Sequence, residues 1–279
     1  MSKVWFITGS SRGLGRSLTS AVLAAGDRVA ATARDPEQLK DLTAQYPDTV
    51  YPLRLDVTDK TQIVSAVQNT IKKFGRIDVL VNNAGFGILG AAEAYSDQQV
   101  RSQLETNLYA PIAITRAVLP YMRQQRSGRI LQISSIGGRI GNPALTIYQA
   151  AKFGLSGFSE ALAKEVKPLG IRVTSIEPGG FRTEAFSSMT TAPAVEGYEK
   201  TVGARIGLFK NNNFLPAGDP GLAAKVLIGL VAHPEPPLHL VLGSDAIDRL
   251  KQANLEKSGE MEKWLPVSIS TDADDALNL

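Results

Sequence analysis

Residues 4–15 read VWFITGSSRGLG, an apolar run followed by a turn rich in glycine. Four consecutive apolar residues, Val4–Ile7, are typical of a strand that is buried on both faces. The Ala- and Leu-rich stretch that follows predicts a helix. In this order of strand, turn and helix, Gly9 permits a tight turn, Gly13 permits the approach of a pyrophosphate, and Gly15 permits close packing of the helix on the strand. Because the helix N-terminus adds free amides and positive potential, the stretch indicates a dinucleotide site.

Apolar runs and helical stretches alternate along most of the remaining chain. The further predicted strands are Arg28–Arg34, Val50–Leu55, Ile77–Val81, Arg129–Ile133, Ile171–Ile176 and Leu238–Leu242. Such alternation favours a parallel sheet with helices on both faces. Right-handed crossovers make it a doubly wound α/β sheet of the Rossmann type, whose ligands bind outside the carboxyl ends of the strands. We predict one domain over residues 1–279, with an extension over 244–279 that contains a helix from Asp245 to about Trp264.

The composition excludes several other classes of protein. The 279 residues are 43% apolar, and a net charge of only +3 gives no sign of nucleic-acid binding. The absence of cysteine rules out disulfides, thiolate zinc sites and a cysteine nucleophile. The two histidines, His233 and His239, lack the spacing of a metal site, so no metal is predicted. No apolar run approaches the ~20 residues of a membrane span, and MSKVWFITGS resembles a strand rather than a leader, so the cytoplasm is the expected location.

A hydroxyl, a phenol and an amine are predicted to meet in the middle of the chain, where residues 135–152 read SIGGRIGNPALTIYQAAK. Ser135 follows the fifth predicted strand, and Tyr148 and Lys152 lie four residues apart on one helix face. A phenol of pKa ~10 is a weak acid at neutral pH, and we expect the lysine cation to lower this pKa. The serine hydroxyl would hold a substrate oxygen as its charge changes. These groups suit proton transfer to a carbonyl oxygen, although such a Tyr–Lys pair is more often a mere pair of neighbours on a half-exposed helix.

Polar and glycine residues also follow two other predicted strands. Asn82-Asn83-Ala84-Gly85 comes directly after the fourth strand, and Pro178-Gly179 comes shortly after the sixth. Because the carboxyl ends of parallel strands meet at one edge of the sheet, we expect these residues, Ser135 and the glycine turn to surround one site.

Two parts of the chain depart from the regular alternation. The stretch from Asp97 to Gln125 predicts one long amphipathic helix with a bend at Pro111. The stretch from Phe181 to Pro216 shows no regular pattern. A long irregular segment that lies beside a site is typically a substrate loop or lid. Its large apolar and aromatic residues favour a bulky or apolar substrate; they are Phe186, Met189, Tyr198, Phe209 and Phe214.

The end of the second predicted strand bears on the choice of dinucleotide. A cofactor without a 2′-phosphate is usually held there by an acidic side chain, whereas this strand ends in Ala33 and Arg34. Arg34 and Arg12 would flank a 2′-phosphate with charge-assisted contacts, which favours NADP(H). Alternatively both arginines are solvated, or a strand end two positions later puts Asp35 at the ribose and favours NAD(H). We prefer the arginine interpretation because Asp35 followed by Pro36 resembles a helix cap.

Taken together, these motifs resemble those of the short-chain dehydrogenase/reductase family, from Lys3 to about Leu242. The family patterns appear as TGxxxGxG over residues 8–15, NNAG over 82–85, YxxxK at Tyr148 and Lys152, and PGxxxT over 178–183. The family's serine falls on Ser135, thirteen residues before the tyrosine, rather than on Ser134, and its asparagine falls on Asn107.

The resemblance implies that Asn107, Ser135, Tyr148 and Lys152 are catalytic. In the family the tyrosine exchanges a proton with the substrate oxygen while the nicotinamide exchanges a hydride with the carbon. The lysine also bonds the nicotinamide ribose, and the asparagine holds a water in a proton relay. The cofactor-binding residues that the resemblance implies are Gly9, Ser11, Arg12, Gly13, Leu14, Gly15, Arg34, Asp56, Val57, Asn83, Ala84, Gly85, Tyr148, Lys152, Pro178, Gly179, Phe181 and Thr183.

The activity implied is that of an NADPH-dependent reductase of a small-molecule ketone or aldehyde. One alternative is an alcohol dehydrogenase that uses the same site in reverse. Another is a cofactor-binding regulator without chemistry, although such regulators typically lose the tyrosine or the lysine. Apolar residues such as Leu155, Phe158 and Leu162 lie on more than one face of the Tyr148 helix. Because the matching helices form a subunit interface in the family, a homodimer or homotetramer is expected.

Overall fold

The computed structural model describes residues 2–185, 187–210 and 216–273, and its centre is a seven-stranded sheet whose paired strands all run parallel. Its strand order is β3-β2-β1-β4-β6-β7-β9, and two further strands, β5 and β8, pair in a small second sheet. The strands are β1 Val4–Ile7, β2 Arg28–Ala33, β3 Val50–Arg54, β4 Val79–Asn82, β5 Ile88–Leu89, β6 Gly128–Ile133, β7 Ile171–Pro178, β8 Thr190–Thr191 and β9 His239–Leu242.

Helices fill the connections between these strands. The α-helices are α1 Gly13–Ala24, α2 Lys40–Gln45, α3 Lys60–Phe74, α4 Asp97–Leu104, α5 Ala110–Gln125, α6 Thr146–Val166, α7 Ala204–Lys210, α8 Pro220–Ala232 and α9 Ser244–Ile269. Short 3₁₀ turns cover Pro36–Leu39, Ala92–Ala94, Ile136–Gly138 and Lys167–Leu169, and π-helical turns cover Glu105–Tyr109 and Glu199–Gly203.

The two faces of the sheet are covered by different helices, as the alternation in β1 shows. Trp5 and Ile7 pack into a core with α1 and α8, whereas Phe6, between them, packs into a core with α3, α5 and α6. Successive strand residues point to opposite faces, so a fully apolar strand is the sequence expected when both faces are buried. The strand order reverses between β1 and β4, the place where doubly wound sheets bind ligands. The predicted doubly wound parallel α/β fold is confirmed.

The predicted single helix from Asp97 to Gln125 is wrong in one respect. A π-helical turn, Glu105–Tyr109, separates α4 from α5 and contains Asn107. Pro111 lies in the first turn of α5, where a missing N–H costs little. The interruption is therefore a π-turn that precedes the proline, a local distortion often found at functional sites.

The prediction that residues 181–216 lack regular structure is also wrong. The segment contributes β8, the π-helical turn Glu199–Gly203 and α7. Val202 and Phe209 anchor it, because both are buried against Leu89 and Leu145. Phe186 and Phe214, which the sequence interpretation included, lie outside the described residues, as do residues 274–279 of the predicted C-terminal extension.

The helix of the extension is longer than predicted, since α9 continues to Ile269 rather than ending near Trp264. Its first turn packs on the sheet through Ala246, which is fully buried and belongs to one apolar cluster with Ile136 and Ile140. Its later turns are mostly exposed. The extension therefore adds a wall to the carboxyl edge of the sheet at its start and projects from the domain further on.

Candidate active site

A single cleft of about 730 Å³ opens at the carboxyl ends of the central strands. The predicted residues that line it are Gly9, Ser11, Arg12, Gly13, Leu14, Arg34, Asp56, Val57, Asn83, Ala84, Gly85, Asn107, Ser135, Tyr148, Lys152, Pro178, Gly179, Phe181 and Thr183. Gly15, the remaining predicted residue, does not line the cleft and instead packs closely against Gly9 and Asn83. The structure thus brings nearly every residue singled out from the sequence into one place.

The turn after β1 is locked to the turn after β4 by hydrogen bonds. The side-chain amide of Asn83 donates to the carbonyl oxygens of Thr8 (2.9 Å) and Gly9 (3.2 Å). In return, the Thr8 hydroxyl accepts from the backbone N–H groups of Asn83 and Ala84 (2.9 and 3.0 Å). A Cβ on Gly15 would lie 2.3 Å from both Asn83 Nδ2 and the Gly9 carbonyl oxygen. Gly15 is therefore required for packing, the role that the sequence interpretation gave it.

The glycine turn fits a bound pyrophosphate. Gly9 and Gly13 have φ of +70° and +56°, a conformation that favours glycine. Among the described residues, no side chain caps the first turn of α1, so its amides are available to an anion. Against the fit, the exposed Glu184 carboxylate lies 4.0 Å from where a Gly13 Cβ would be. Glu184 belongs to an exposed part of residues 181–216, so it is free to move when an anion binds.

The environment of the adenosine end of the cleft is basic. Arg34 follows β2 directly, and both it and Arg12 are exposed at the cleft. Within the described parts of the chain, neither guanidinium makes a hydrogen bond or an ion pair, which leaves both available to a ligand. The Asp35 carboxylate accepts from the Glu37 amide at 3.1 Å and caps the 3₁₀ turn that starts at Pro36. The predicted cap is confirmed, so the Asp35 carboxylate is already engaged by the backbone of this turn.

Asp56 and Val57 line the cleft just beyond β3. The Asp56 carboxylate accepts from the amide and the hydroxyl of Thr58 at 2.9 and 2.7 Å, which fixes the turn. These bonds hold the backbone of Val57 at the wall of the cleft, on the same side as Arg34.

The opposite wall is formed by the end of β7 and is anchored from beneath. Glu177 is fully buried and bonded to His239 Nδ1 (2.6 Å) and Arg139 (3.2 Å). Next to it, Pro178 and Gly179 line the cleft, and a Cβ on Gly179 would lie 2.7 Å from Asp245 Oδ1. Glycine at this position lets the start of α9 close against the site.

At the centre of the cleft, Ser135, Tyr148 and Lys152 face one another. Ser135 lies just past β6, and its hydroxyl accepts from the Gly137 amide at 3.0 Å and lies close enough to the Tyr148 phenol to lower its pKa. Lys152 is buried, with Nζ 5.7 Å from the centre of the Tyr148 ring and donating to the Ile133 carbonyl at 2.7 Å. The neighbouring Ser134 instead bonds the Lys152 carbonyl and Ser156, so it points away from the phenol. The Ser135 hydroxyl, and not that of Ser134, is therefore the one that influences the phenol here, and its catalytic role stays a prediction.

The two titratable groups are shifted by burial in opposite senses. Desolvation raises the pKa of Tyr148 above its usual value, and the hydrogen bond with Ser135 offsets this only in part. Burial also lowers the pKa of Lys152 to about 8. The predicted net fall in the pKa of the phenol is therefore wrong for this structure, because desolvation outweighs the influences that favour the phenolate. At neutral pH the site presents a protonated phenol beside a lysine that still carries its charge.

Asn107 joins the site through the loop after β4. Its side chain accepts from the Phe86 amide at 3.0 Å and donates to the Phe86 carbonyl at 2.7 Å. A Cβ on Gly85 would lie 2.7 Å from Asn107 Oδ1 and 3.8 Å from Lys152 Nζ. The π-turn thus delivers Asn107 to the lysine side of the cleft, and Gly85 leaves the space between them clear.

The polar lining residues that the sequence interpretation missed include Asn142, Arg205 and Arg249. Arg205 belongs to α7, within the segment predicted to be irregular, and Arg249 belongs to α9, within the extension. Neither lies in a motif or at a strand end, so no signal in the sequence marks them. In the described residues, no group of three or more His, Asp or Glu side chains is placed to hold a metal ion. Likewise, none of the described helices is long and apolar enough to cross a membrane.

Comparison with known proteins gives the family. The model of the short chain dehydrogenase family matches residues 3–194. The oxidoreductase BOA17 of Botryotinia fuckeliana is 44% identical over 273 residues, which are 97% of this chain and 100% of that protein. A short-chain dehydrogenase from Streptomyces avermitilis has a crystal structure of TM-score 0.92 and 39% identity, covering 98% of this chain and 100% of that one.

A second solved structure, of a metagenomic short-chain oxidoreductase in complex with NADP, has a TM-score of 0.70 and 25% identity, covering 87% of this chain and 97% of that one. The family match covers every strand of the main sheet except β9, and the alignment with BOA17 extends over nearly the whole chain, including the strand ends that form the cleft. The chain belongs to the short-chain dehydrogenase family and is an NAD(P)-dependent oxidoreductase.

Proposed function

We propose that this protein is an NADPH-dependent reductase that converts a ketone or aldehyde to an alcohol. The observation that carries the proposal is the placement of the Tyr148 phenol in the cleft together with Ser135 and Lys152, whose Nζ lies 5.7 Å from the centre of the phenol ring. A phenol is protonated at neutral pH and can therefore give a proton to a carbonyl oxygen, as reduction requires. In the oxidative direction the same group would have to be deprotonated first.

In the proposed mechanism the bound nicotinamide supplies the hydride that the carbonyl carbon takes up. The Ser135 hydroxyl holds the carbonyl oxygen, and Tyr148 gives that oxygen its proton. Lys152, charged below its pKa of about 8, stabilises the phenolate that is left behind. Asn107, on the lysine side of the cleft, would hold the water through which a proton returns to Tyr148 by way of Lys152.

The cofactor would lie along the carboxyl edge of the sheet. The uncapped first turn of α1 and the glycine turn would hold the pyrophosphate. Arg12 and Arg34 would hold a 2′-phosphate, whose roughly two negative charges pair well with guanidinium groups. The related metagenomic oxidoreductase was crystallised with NADP, which supports the same preference in this chain.

The substrate would enter beside residues 181–216. Leu145, Met189 and Phe209 line this part of the cleft, and Tyr148 packs in the same apolar cluster. These contacts support an apolar or bulky substrate and a lid role for the segment.

We also propose that the enzyme works as a homodimer or homotetramer. Phe153, on the outer face of α6, and Tyr109, just before α5, are 42% and 37% exposed. Large exposed rings on neighbouring helices are typical of an interface. Light scattering at micromolar concentration should give twice or four times the monomer mass, and a monomer would contradict this part of the proposal.

The catalytic proposal is tested by NADPH oxidation with a panel of ketones and aldehydes. Tyr148→Phe should lower kcat by at least ~10²-fold, since it removes the proton donor and keeps the ring. Ser135→Ala should also lower kcat strongly, whereas the matched variant Ser134→Ala should change stability more than rate. Near-normal turnover by Tyr148→Phe would overturn the assignment.

A further inference from the structure

Two arginines from separate elements meet at the substrate end of the cleft. Arg205 comes from α7 and Arg249 from α9, and both line the cleft. The cofactor contacts proposed above use neither. They lie apart from Arg12 and Arg34, which belong to the adenosine end.

Arg205 is held in a setting that leaves its charge unmatched. Its guanidinium lies 5.1 Å from the centre of the Phe209 ring, and its Nε is buried without a hydrogen-bond partner. Desolvation and the nearby charge of Arg249 both lower its pKa. In the part of the chain that the structure describes, Arg205 forms no ion pair. A buried donor without a partner costs free energy, which a ligand with acceptor oxygens would recover.

Arg249 is tied to the reactive end of the cleft. It donates to Asn142 Oδ1 at 2.8 Å, and the Asn142 amide donates in turn to Gln149 Oε1 at 2.8 Å. Gln149 is buried and directly follows Tyr148 in α6. The bonds fix the Arg249 guanidinium with respect to the helix that carries the phenol.

The remaining charges of the cleft do not neutralise this pair. Among the described lining residues the acidic ones are Asp56 and Glu184. Asp56 is engaged by Thr58 beyond β3, and Glu184 lies beside Gly13, so both belong to the cofactor end. Two like charges brought together in a partly desolvated cleft repel each other, and an anion between them removes that cost.

We propose that the substrate carries an anionic group, in the simplest case a carboxylate, that binds between Arg205 and Arg249 while its apolar part contacts Phe209, Leu145 and Met189. The proposal rests on the reductase function above and narrows its substrate class to oxo acids with an apolar body. Guanidinium groups bind carboxylates through paired hydrogen bonds, which gives both affinity and orientation.

The test compares a keto acid with its neutral ester. The probes are 4-oxo-4-phenylbutanoate and its methyl ester, which lacks the charge and carries one added methyl group at the same end. With the wild-type enzyme and NADPH, kcat/KM for the acid should exceed that for the ester by about tenfold or more. Arg205→Gln and Arg249→Gln should each reduce this preference, the double variant should abolish it, and Arg205→Lys should retain part of it. The matched control Lys200→Gln removes a charge just before α7, on an exposed side chain outside the cleft, and should leave the preference unchanged.

The outcomes separate this inference from the function on which it rests. An acid preference that the double variant retains, or equal rates for acid and ester, would overturn the inference and leave the reductase function standing. If neither probe is reduced, the reductase proposal is weakened, and calorimetric binding of the acid to the NADP-bound enzyme decides the inference. Binding that weakens in Arg205→Gln but not in Lys200→Gln supports it, and equal binding by the two variants overturns it. A rise in KM for NADPH alone would assign the arginines to the cofactor and also overturn it.

Discussion

The two ends of the cleft are built in different ways. At the cofactor end, two turns of the backbone are locked together: the turns after β1 and β4 interlock through the Thr8 hydroxyl, the Asn83 side-chain amide and the carbonyl oxygens of Thr8 and Gly9. At the substrate end, long side chains from α7 and α9 line the cleft, and the buried Arg205 Nε has no hydrogen-bond partner among the described residues. The first arrangement tolerates few residue types, whereas the second can change its chemistry by one substitution. We therefore expect substitutions at the cofactor end to disrupt the reaction itself, and substitutions at the substrate end to change which substrates are accepted.

The largest effect is expected from Gly15→Ala, which attacks the interlocked end. The new Cβ would lie 2.3 Å from the Gly9 carbonyl oxygen, a backbone atom that cannot move without opening the turn. We expect a loss of a few kcal/mol in the free energy of unfolding and loss of measurable NADPH binding. Thermal unfolding and fluorescence titration with NADPH measure the two effects.

The control is Gly259→Ala, in the exposed part of α9, where a Cβ meets nothing within 4 Å. It should leave cofactor binding unchanged and stabilise slightly, because alanine favours the helix. If Gly15→Ala binds NADPH as well as this control does, the cofactor end is less constrained than its contacts indicate.

The same difference explains what the sequence could predict. Glycines at 9, 13 and 15, the Asn83 turn and the Tyr148–Lys152 pair are constrained by backbone geometry or helix spacing, so a pattern records them. The π-turn around Asn107 leaves no such pattern, because the flanking sequence is regular helix. Arg205 and Arg249 become neighbours only through tertiary packing of α7 and α9, and Val202 and Phe209 gave no periodic signal strong enough to predict α7.

The second prediction concerns the buried cation between the two ends. Lys152→Met should lower kcat by about 10²-fold or more, since it removes the charge beside Tyr148. It should not destabilise the fold at pH 7, because a lysine whose pKa falls from 10.5 to about 8 on folding is itself destabilising, by roughly 3 kcal/mol. The lost bond to the Ile133 carbonyl offsets part of this gain.

The pH dependence has a defined sign. Below pH 8 the lysine is charged in both states and its full desolvation cost is present. Between pH 8 and 10.5 the folded state holds fewer protons than the unfolded state, so this cost disappears as the pH rises. The stability advantage of Lys152→Met, measured by urea unfolding, should therefore be larger at pH 7 than at pH 10. An advantage that grows with pH would contradict the burial argument.

A smaller effect is expected at the adenosine side of the cofactor end. Arg34→Ala should raise KM for NADPH by about ten- to hundredfold and leave KM for NADH nearly unchanged, because only NADPH carries the 2′-phosphate. Arg76→Ala is the matched control. Arg76 is paired with Asp78 just before β4, at the amino ends of the strands and therefore on the side of the sheet away from the cleft. Equal effects of Arg34→Ala on both cofactors would show that Arg34 does not contact the phosphate.

The smallest effect, in hydrogen exchange, compares the mobility of the two ends directly. Amides of α1 and of the Asn83 turn should exchange slowly with or without ligand, because their elements pack in the main core. Residues 187–210 rest on the smaller cluster of Val202, Phe209 and Leu145, so they should exchange faster in the free enzyme. Oxidised NADP with 4-oxo-4-phenylbutanoate, a pair that cannot react, should slow that exchange by about tenfold, more than oxidised NADP with the methyl ester, because only the acid can bridge Arg205 to Arg249. If residues 187–210 are as protected as α1 in the free enzyme, the segment is a fixed wall and not a lid. The substrate end would then be as preformed as the cofactor end, differing from it only in being built from side chains.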